Sequence, residues 1–173
     1  MTTLTDGFVT LRFPEAADAD AIAEAARSSF AELDPWMPWA SADYDIDDAM
    51  FWINDEAEVS FLVLDGNNTV VGTCGINTID HLNKRANLGY WTSTSHAGAG
   101  FATAATTLAA RYGLTELGLQ RLEVIMSVEN GASRRVAERV GATNEGVLQN
   151  RLLLKGAAHD AYSFSITSVD QLS

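Results

Sequence analysis

Apolar positions along the chain repeat with two periods, and the change of period marks the elements. Phe8 to Phe13 alternates and predicts a first strand, ended by Pro14. Ala16 to Phe30 is Ala-rich, with Ile22, Ala26 and Phe30 at helical spacing. Pro35 and Pro38 exclude helix interior from the stretch Asp34-Pro35-Trp36-Met37-Pro38-Trp39. A second helix is predicted from Asp47 to Glu56, with acidic residues in its first turn. The period then falls to two. Val59 to Leu64 and Thr69 to Ile79 read as strands joined by Asp65-Gly66-Asn67-Asn68, and Arg85 to Thr92 as a third. Helical spacing returns from Phe101 to Leu117, closed by Gly118. Leu122 to Val128 alternates again. Asn130 caps a short helix through Val140, which Gly141 closes. Two strands, Thr143 to Leu154 and His159 to Thr167, meet at the turn Lys155-Gly156.

The predicted order is therefore β-α-α-β-β-β-α-β-α-β-β. Hairpins in the middle rule out a fully parallel sheet. A strand-helix-strand crossover near the centre requires parallel neighbours there. The expected class is mixed α/β, a sheet with helices on both faces, in one domain spanning residues 1–173.

Between the third hairpin-type strand and the long helix lies Thr92-Ser-Thr-Ser-His-Ala-Gly98-Ala99-Gly100-Phe101-Ala102. Glycine permits positive φ and close approach of a ligand to the backbone. The first amides of a helix lack internal partners and carry the positive end of its dipole, so such a turn can cradle an anion. The local sequence alone leaves a second reading, a tight turn and nothing more. No Gly-Lys-Ser/Thr follows, which excludes a P-loop. Thr103 stands where a dinucleotide fingerprint needs Gly or Ala, and the turn is not in a first βα unit.

Composition narrows the partners. The 173 residues carry 11 Lys plus Arg against 23 Asp plus Glu, a net charge of −12. That argues against nucleic acid and favours a cationic substrate. No stretch approaches the about 20 apolar residues of a membrane span, and the N-terminus shows no signal-peptide pattern. A lone Cys74, with no metal-ligand spacing around it, fits a reducing, cytoplasmic setting, a small buried side chain and no metal site. No nucleophile elbow supports hydrolase chemistry.

Several segments in fixed order carry a resemblance over about residues 8–167. They are Trp36-Met37-Pro38-Trp39, Gly89-Tyr90-Trp91, the glycine turn, Asn130-x-x-Ser133 and Glu145-Gly146. Together they resemble the GNAT acetyltransferases, and most closely the RimJ/RimL type that acetylates N-terminal amines of ribosomal proteins. The resemblance implies the GNAT fold, with a mostly antiparallel central sheet, and acetyl-coenzyme A as co-substrate. It implies that the amides of Gly98, Ala99, Gly100, Phe101 and Ala102 bind the pyrophosphate. Trp91 and Thr92 would pair with the pantetheine arm, and Asn130 would bond it from the other side. Trp36 and Trp39 would line the acceptor pocket, and Ser133 would donate to the departing sulfur. The spacing by itself also allows Ser133 to do no more than tidy the first helical turn after Asn130. The acidic run Asp43, Asp45, Asp47 and Asp48 likewise reads either as helix-start stabilisation or as attraction for a cation.

Three positions depart from the family pattern. Ser95 and Ala99 replace its polar or basic residues at the turn, with Arg134 and Arg135 expected to compensate near the adenosine phosphates. Leu152 stands where the ribosomal-protein enzymes carry a Glu base. Asp34 and Asp160 acting through water, or His96 and His159, remain as bases. The function implied is direct acetyl transfer to a primary amine of a protein or peptide N-terminus. A small-molecule amine acceptor and a non-catalytic acyl-coenzyme A sensor are the alternatives, and a homodimer is left open.

Overall fold

The computed structural model describes residues 3–55 and 59–173, so the predicted helix end at Glu56 lies outside the described residues. Eight strands form one sheet: β1 Thr3–Thr5, β2 Thr10–Arg12, β3 Val59–Leu64, β4 Val70–Asp80, β5 Arg85–Thr92, β6 Arg121–Ser127, β7 Thr143–Leu154 and β8 Ala157–Ile166. Their spatial order is β1-β2-β3-β4-β5-β6-β8-β7. Every neighbouring pair is antiparallel except β5 and β6, which are parallel. The exception follows from the crossover between them, α4 Phe101–Thr115. The second crossover, α5 Gly131–Val140, leads from β6 to β7, but β8 inserts between those two strands.

The remaining helices, α1 Ala19–Ser28, α2 Phe30–Leu33 and α3 Ile46–Ile53, lie between β2 and β3. The expected single helix from Ala16 is in fact a 3-10 turn, Ala16–Asp18, followed by α1 and α2. The break at Ser29 has a tertiary cause: its buried hydroxyl accepts a hydrogen bond from Thr94 N–H at 3.0 Å, tying the α1–α2 junction to the loop after β5. The short edge strand β1 is a further addition, paired with β2 from Thr3/Arg12 to Thr5/Thr10. At α3, Asp45 accepts from the N–H groups of Asp47 and Asp48, while Asp48 accepts from Asp45 N–H. Part of the acidic run is therefore a reciprocal helix cap.

Two apolar layers sandwich the sheet. One joins Phe61, Val63, Cys74, Ile76, Leu88, Leu122, Val124, Met126 and Phe164 to the Ala-rich face of α4 and to α5. The other joins Leu62, Leu64 and Trp91 to Ile22 and Ala26 of α1 and Ala49 of α3. Helices thus cover both faces, and successive residues of β5 serve opposite layers.

Candidate active site

The pairing of β5 with β6 covers only Arg85/Arg121, Ala86/Leu122 and Asn87/Glu123. Beyond those residues the strands part, although both continue, to Thr92 and to Ser127. On its other edge β5 stays paired with β4 as far as Thr92/Gly72, and Ser93 N–H bonds Val71 C=O at 2.8 Å. Strand alternation then directs the Trp91 N–H to β4 and leaves the N–H groups of Tyr90 and Thr92 pointing into the opening. Of the two residues expected to offer an amide there, Thr92 does so and Trp91 does not.

The opening leads to the start of α4. Gly98 has φ +78° and Gly100, the N-cap, φ +97°, both in the left-handed region that favours glycine. No side chain caps α4, and the first helical bond is Ala104 N–H to Gly100 C=O. The amides of Phe101, Ala102 and Thr103 therefore lack intrahelical partners. A Cβ on Gly98 would meet nothing within 4 Å, so the space above the turn is open. The turn is held in place from outside: Phe8 stacks on Phe101 at 4.6 Å, and His96 Nδ1 lies 2.8 Å from Ser93 Oγ and 3.0 Å from Ser95 Oγ. Ser95 is thus engaged with His96. Uncapped amides in an open, positive-φ turn suit the phosphates of a coenzyme A molecule, and the unpaired edge of β5 suits its amide-bearing arm.

Ser133 and Asn130 lie at the other wall. Asn130 Oδ1 accepts from Ser133 N–H at 3.0 Å and caps α5. The backbone of Ser133 thus completes the cap, and its hydroxyl is released from that task. Ser133 Oγ instead lies 3.0 Å from the hydroxyl of Tyr90 on β5. Burial, the larger influence, raises the Tyr90 phenol well above its ordinary pKa; the Ser133 hydrogen bond opposes it.

On the α1/α3 side the same strands floor a cavity of about 690 Å³, within the usual range for small-ligand sites. Trp36, Trp39, Tyr44 and Trp52 form an aromatic wall, with Trp91 behind them. Trp39 contacts Tyr44 edge-on at 5.5 Å and Trp91 at 5.7 Å. Asn130, Ser133, Tyr90 and Leu152 also line this space, whereas Gly98 to Ala102 do not. Asp48 and Asp55 supply its carboxylates. Tyr44 is pushed up to about 12, first by burial and then by the charges of Asp48 and Asp45, and so stays a neutral hydroxyl. Thr73, only 7 % exposed, adds a further hydroxyl.

The other base candidates sit elsewhere. Asp34 is paired with Lys155, and Asp160 accepts from Asn150 N–H at 2.9 Å. His159 faces Glu129 at 3.9 Å, and His96 is held at the turn. Leu152 lines the cavity, so the position expected to hold a Glu offers no proton acceptor. Arg134 bonds Glu138 at 2.8 Å and stacks over Tyr162 at 4.8 Å. Arg135 lies beside Gly131 at the start of α5. Burial pushes the Cys74 thiol up to about 12, which makes it a poor nucleophile. Sequence reasoning missed Tyr44, Asp48 as a cavity wall, Asp55, Thr73 and the side chain of Tyr90; only the Gly-Tyr-Trp run gave a signal for the last.

Comparison with known proteins agrees with this geometry. Residues 9–143 match the model of the acetyltransferase (GNAT) domain. The chain is 31 % identical to the N-acetyltransferase p20 of Bacillus licheniformis over 96 % of each chain. It is 33 % identical to the ribosomal-protein-serine acetyltransferase of Escherichia coli over 53 % of this chain and 51 % of the relative. It is 31 % identical to the E. coli spermidine N(1)-acetyltransferase over 66 % and 61 %. Among solved structures, Mycobacterium smegmatis RimJ in complex with CoA-disulfide superposes with a TM-score of 0.86 at 26 % identity, over 98 % of this chain and 87 % of RimJ. The Microcin C7 self-immunity acetyltransferase MccE, in complex with acetyl-CoA and AMP, gives 0.85 at 26 %, over 95 % and 94 %. A sheet that parts beside an uncapped glycine turn, and a family match that covers most of the chain, lead to one assignment: the chain is an N-acetyltransferase of the GNAT family.

Proposed function

We propose that the chain binds acetyl-coenzyme A along the opening between β5 and β6 and passes the acetyl group directly to the primary amine of a protein or peptide N-terminus. The observation that carries the reading is the parting of β5 and β6 after Asn87, which leaves the edge of β5 unpaired between the uncapped α4 turn and the cavity that Tyr90 and Ser133 line. Acetyl-coenzyme A supplies the acyl group as a thioester. The amides of Phe101 to Thr103 hold its phosphates, and the edge of β5 aligns its arm. The N–H groups of Tyr90 and Thr92 are placed to receive a polarised thioester oxygen. Asn130 fixes the α5 start, and Ser133 Oγ–H donates to the sulfur as it leaves. Trp36 and Trp39 flank the acceptor.

Residue chemistry favours an α-amine. At pH 7, freeing an α-amine of its proton costs on the order of 1.4 kcal/mol, against about 4.6 for a lysine. Leu152 removes the strong base that the second task needs. Release of free thiol against a panel of N-terminal peptides and their lysine-only counterparts tests this. Turnover restricted to free α-amines is expected, and turnover of the lysine peptides alone would contradict it.

A specific feature supports a second reading. Asp48 and Asp55 put two carboxylates on the cavity wall beside aromatic rings, a setting that suits a cationic amine, and one relative is a spermidine N(1)-acetyltransferase. A polyamine in the same panel separates the two.

A further inference from the structure

Tyr90 holds its hydroxyl where it meets one side chain. The oxygen lies 3.0 Å from Ser133 Oγ and 3.2 Å from Ser133 C=O. Two arrangements are open: the phenol gives its hydrogen to Ser133 Oγ, the shorter contact, or it gives it to the Ser133 carbonyl and accepts from Ser133 Oγ. A phenol is the stronger acid of the pair and the weaker acceptor. The Ser133 carbonyl lies inside α5, where the N–H four residues on already engages it. Oγ is therefore the better acceptor, and the phenol is the donor. Ser133 Oγ has no other hydrogen-bond partner among the described residues, so its own hydrogen is left for whatever enters the opening. Tyr90 enters from β5 and Ser133 from α5, across the gap where the two strands part.

We propose that Tyr90 is a positioning residue: by donating to Ser133 Oγ, it turns the Ser133 hydrogen toward the sulfur that leaves between β5 and β6. This rests on the transferase reading of the site. In the step served, the amine nitrogen forms its bond to the acyl carbon and the carbon–sulfur bond breaks, leaving its electron pair on sulfur. Ser133 stabilises that thiolate by a hydrogen bond, and the proton lost by the amine goes to solvent. Tyr90 keeps its own proton throughout. Burial, which opposes a phenolate, supports that.

The test titrates the thiol of bound coenzyme A by the difference absorbance of its thiolate, which needs no knowledge of the acceptor. Wild type, Tyr90→Phe, Ser133→Ala and the double variant are compared under saturating coenzyme A. The wild-type thiol should titrate below the free value of about 8.5. Tyr90→Phe should raise it by about 0.7 of a pH unit, the effect of one neutral hydrogen bond. The double variant should match Ser133→Ala alone. Ser133→Thr, which keeps the hydroxyl and its partner, should titrate like wild type. Once an acceptor is in hand, Tyr90→Phe should lower kcat about fivefold with KM for acetyl-coenzyme A unchanged. Equal titrations in wild type and Tyr90→Phe, or a double variant showing the sum of both shifts, would overturn the proposal. A wild-type chain that does not take up coenzyme A would overturn the transferase reading and this one together.

Discussion

Ser133 and Asn130 show how one short motif divides its work. Asn130 spends its carbonyl on the Ser133 N–H, so the cap needs only the Ser133 backbone. Replacing Ser133 with Ala should then leave the melting temperature within a few degrees of wild type. It should lower kcat at least tenfold, the cost of one charge-assisted hydrogen bond to a thiolate. Asn130→Ala should do the reverse in part, lowering stability by about 1 kcal/mol through the lost cap. Thermal melts and steady-state kinetics on the same samples check both. The spacing Asn-x-x-Ser placed these residues on a helix start but could not say which atom does which job. Tyr90 was legible only as part of a Gly-Tyr-Trp run, because its partner lies 43 residues further along the chain. Tyr44 and Thr73 carry no local signal, and Asp48 stood out only as one member of an acidic run; the fold alone brings the three to one cavity.

Elements whose ends are set by neighbouring residues are where sequence and structure agree. Asn130 and Gly141 bound α5 as expected, and β3, β5 and β7 begin and end where alternation and turn residues place them. Disagreement appears where a distant contact intervenes. Ser29 breaks the first helix because Thr94 binds its hydroxyl. The parting of β5 and β6 could not be read from either strand, since each is regular by itself. Two glycines test the account at this scale. At Gly141, φ is +90° and a Cβ would stand 1.9 Å from Gln171 C=O, so Gly141→Ala should destabilise the fold by several kcal/mol in urea unfolding. At Gly100 a Cβ would meet only Phe8, at 3.9 Å, an ordinary contact. The strain of φ +97° is then the main effect. Gly100→Ala should weaken acetyl-coenzyme A binding about tenfold by calorimetry, at a stability cost of about 1 kcal/mol.

Across the whole molecule, acidic side chains shape the dependence of stability on pH. Glu145 accepts from both Arg121 and Ser165, and the Arg121 hydrogen bond chiefly holds its carboxyl down at about 2, against an ordinary 4.5. Asp18 is likewise lowered, chiefly by its hydrogen bond to Arg12. Both folded-state values lie below the unfolded ones. Their stabilisation is therefore complete above about pH 4.5 and is lost as pH falls towards 2. Glu145 is partly exposed and screened, so Glu145→Gln should cost about 1 kcal/mol or less at pH 7. The variant and wild type should converge by pH 2 in acid-unfolding curves. The net charge of −12 gave the expectation of a cationic acceptor, and Asp48 and Asp55 line the cavity wall. The central claim is that coenzyme A lies between the parted strands with its phosphates on the α4 turn. Amide hydrogen exchange with and without coenzyme A tests it most directly. The account predicts slowed exchange at Tyr90, Thr92 and Phe101 to Thr103; unchanged exchange at those amides under saturating coenzyme A would contradict it.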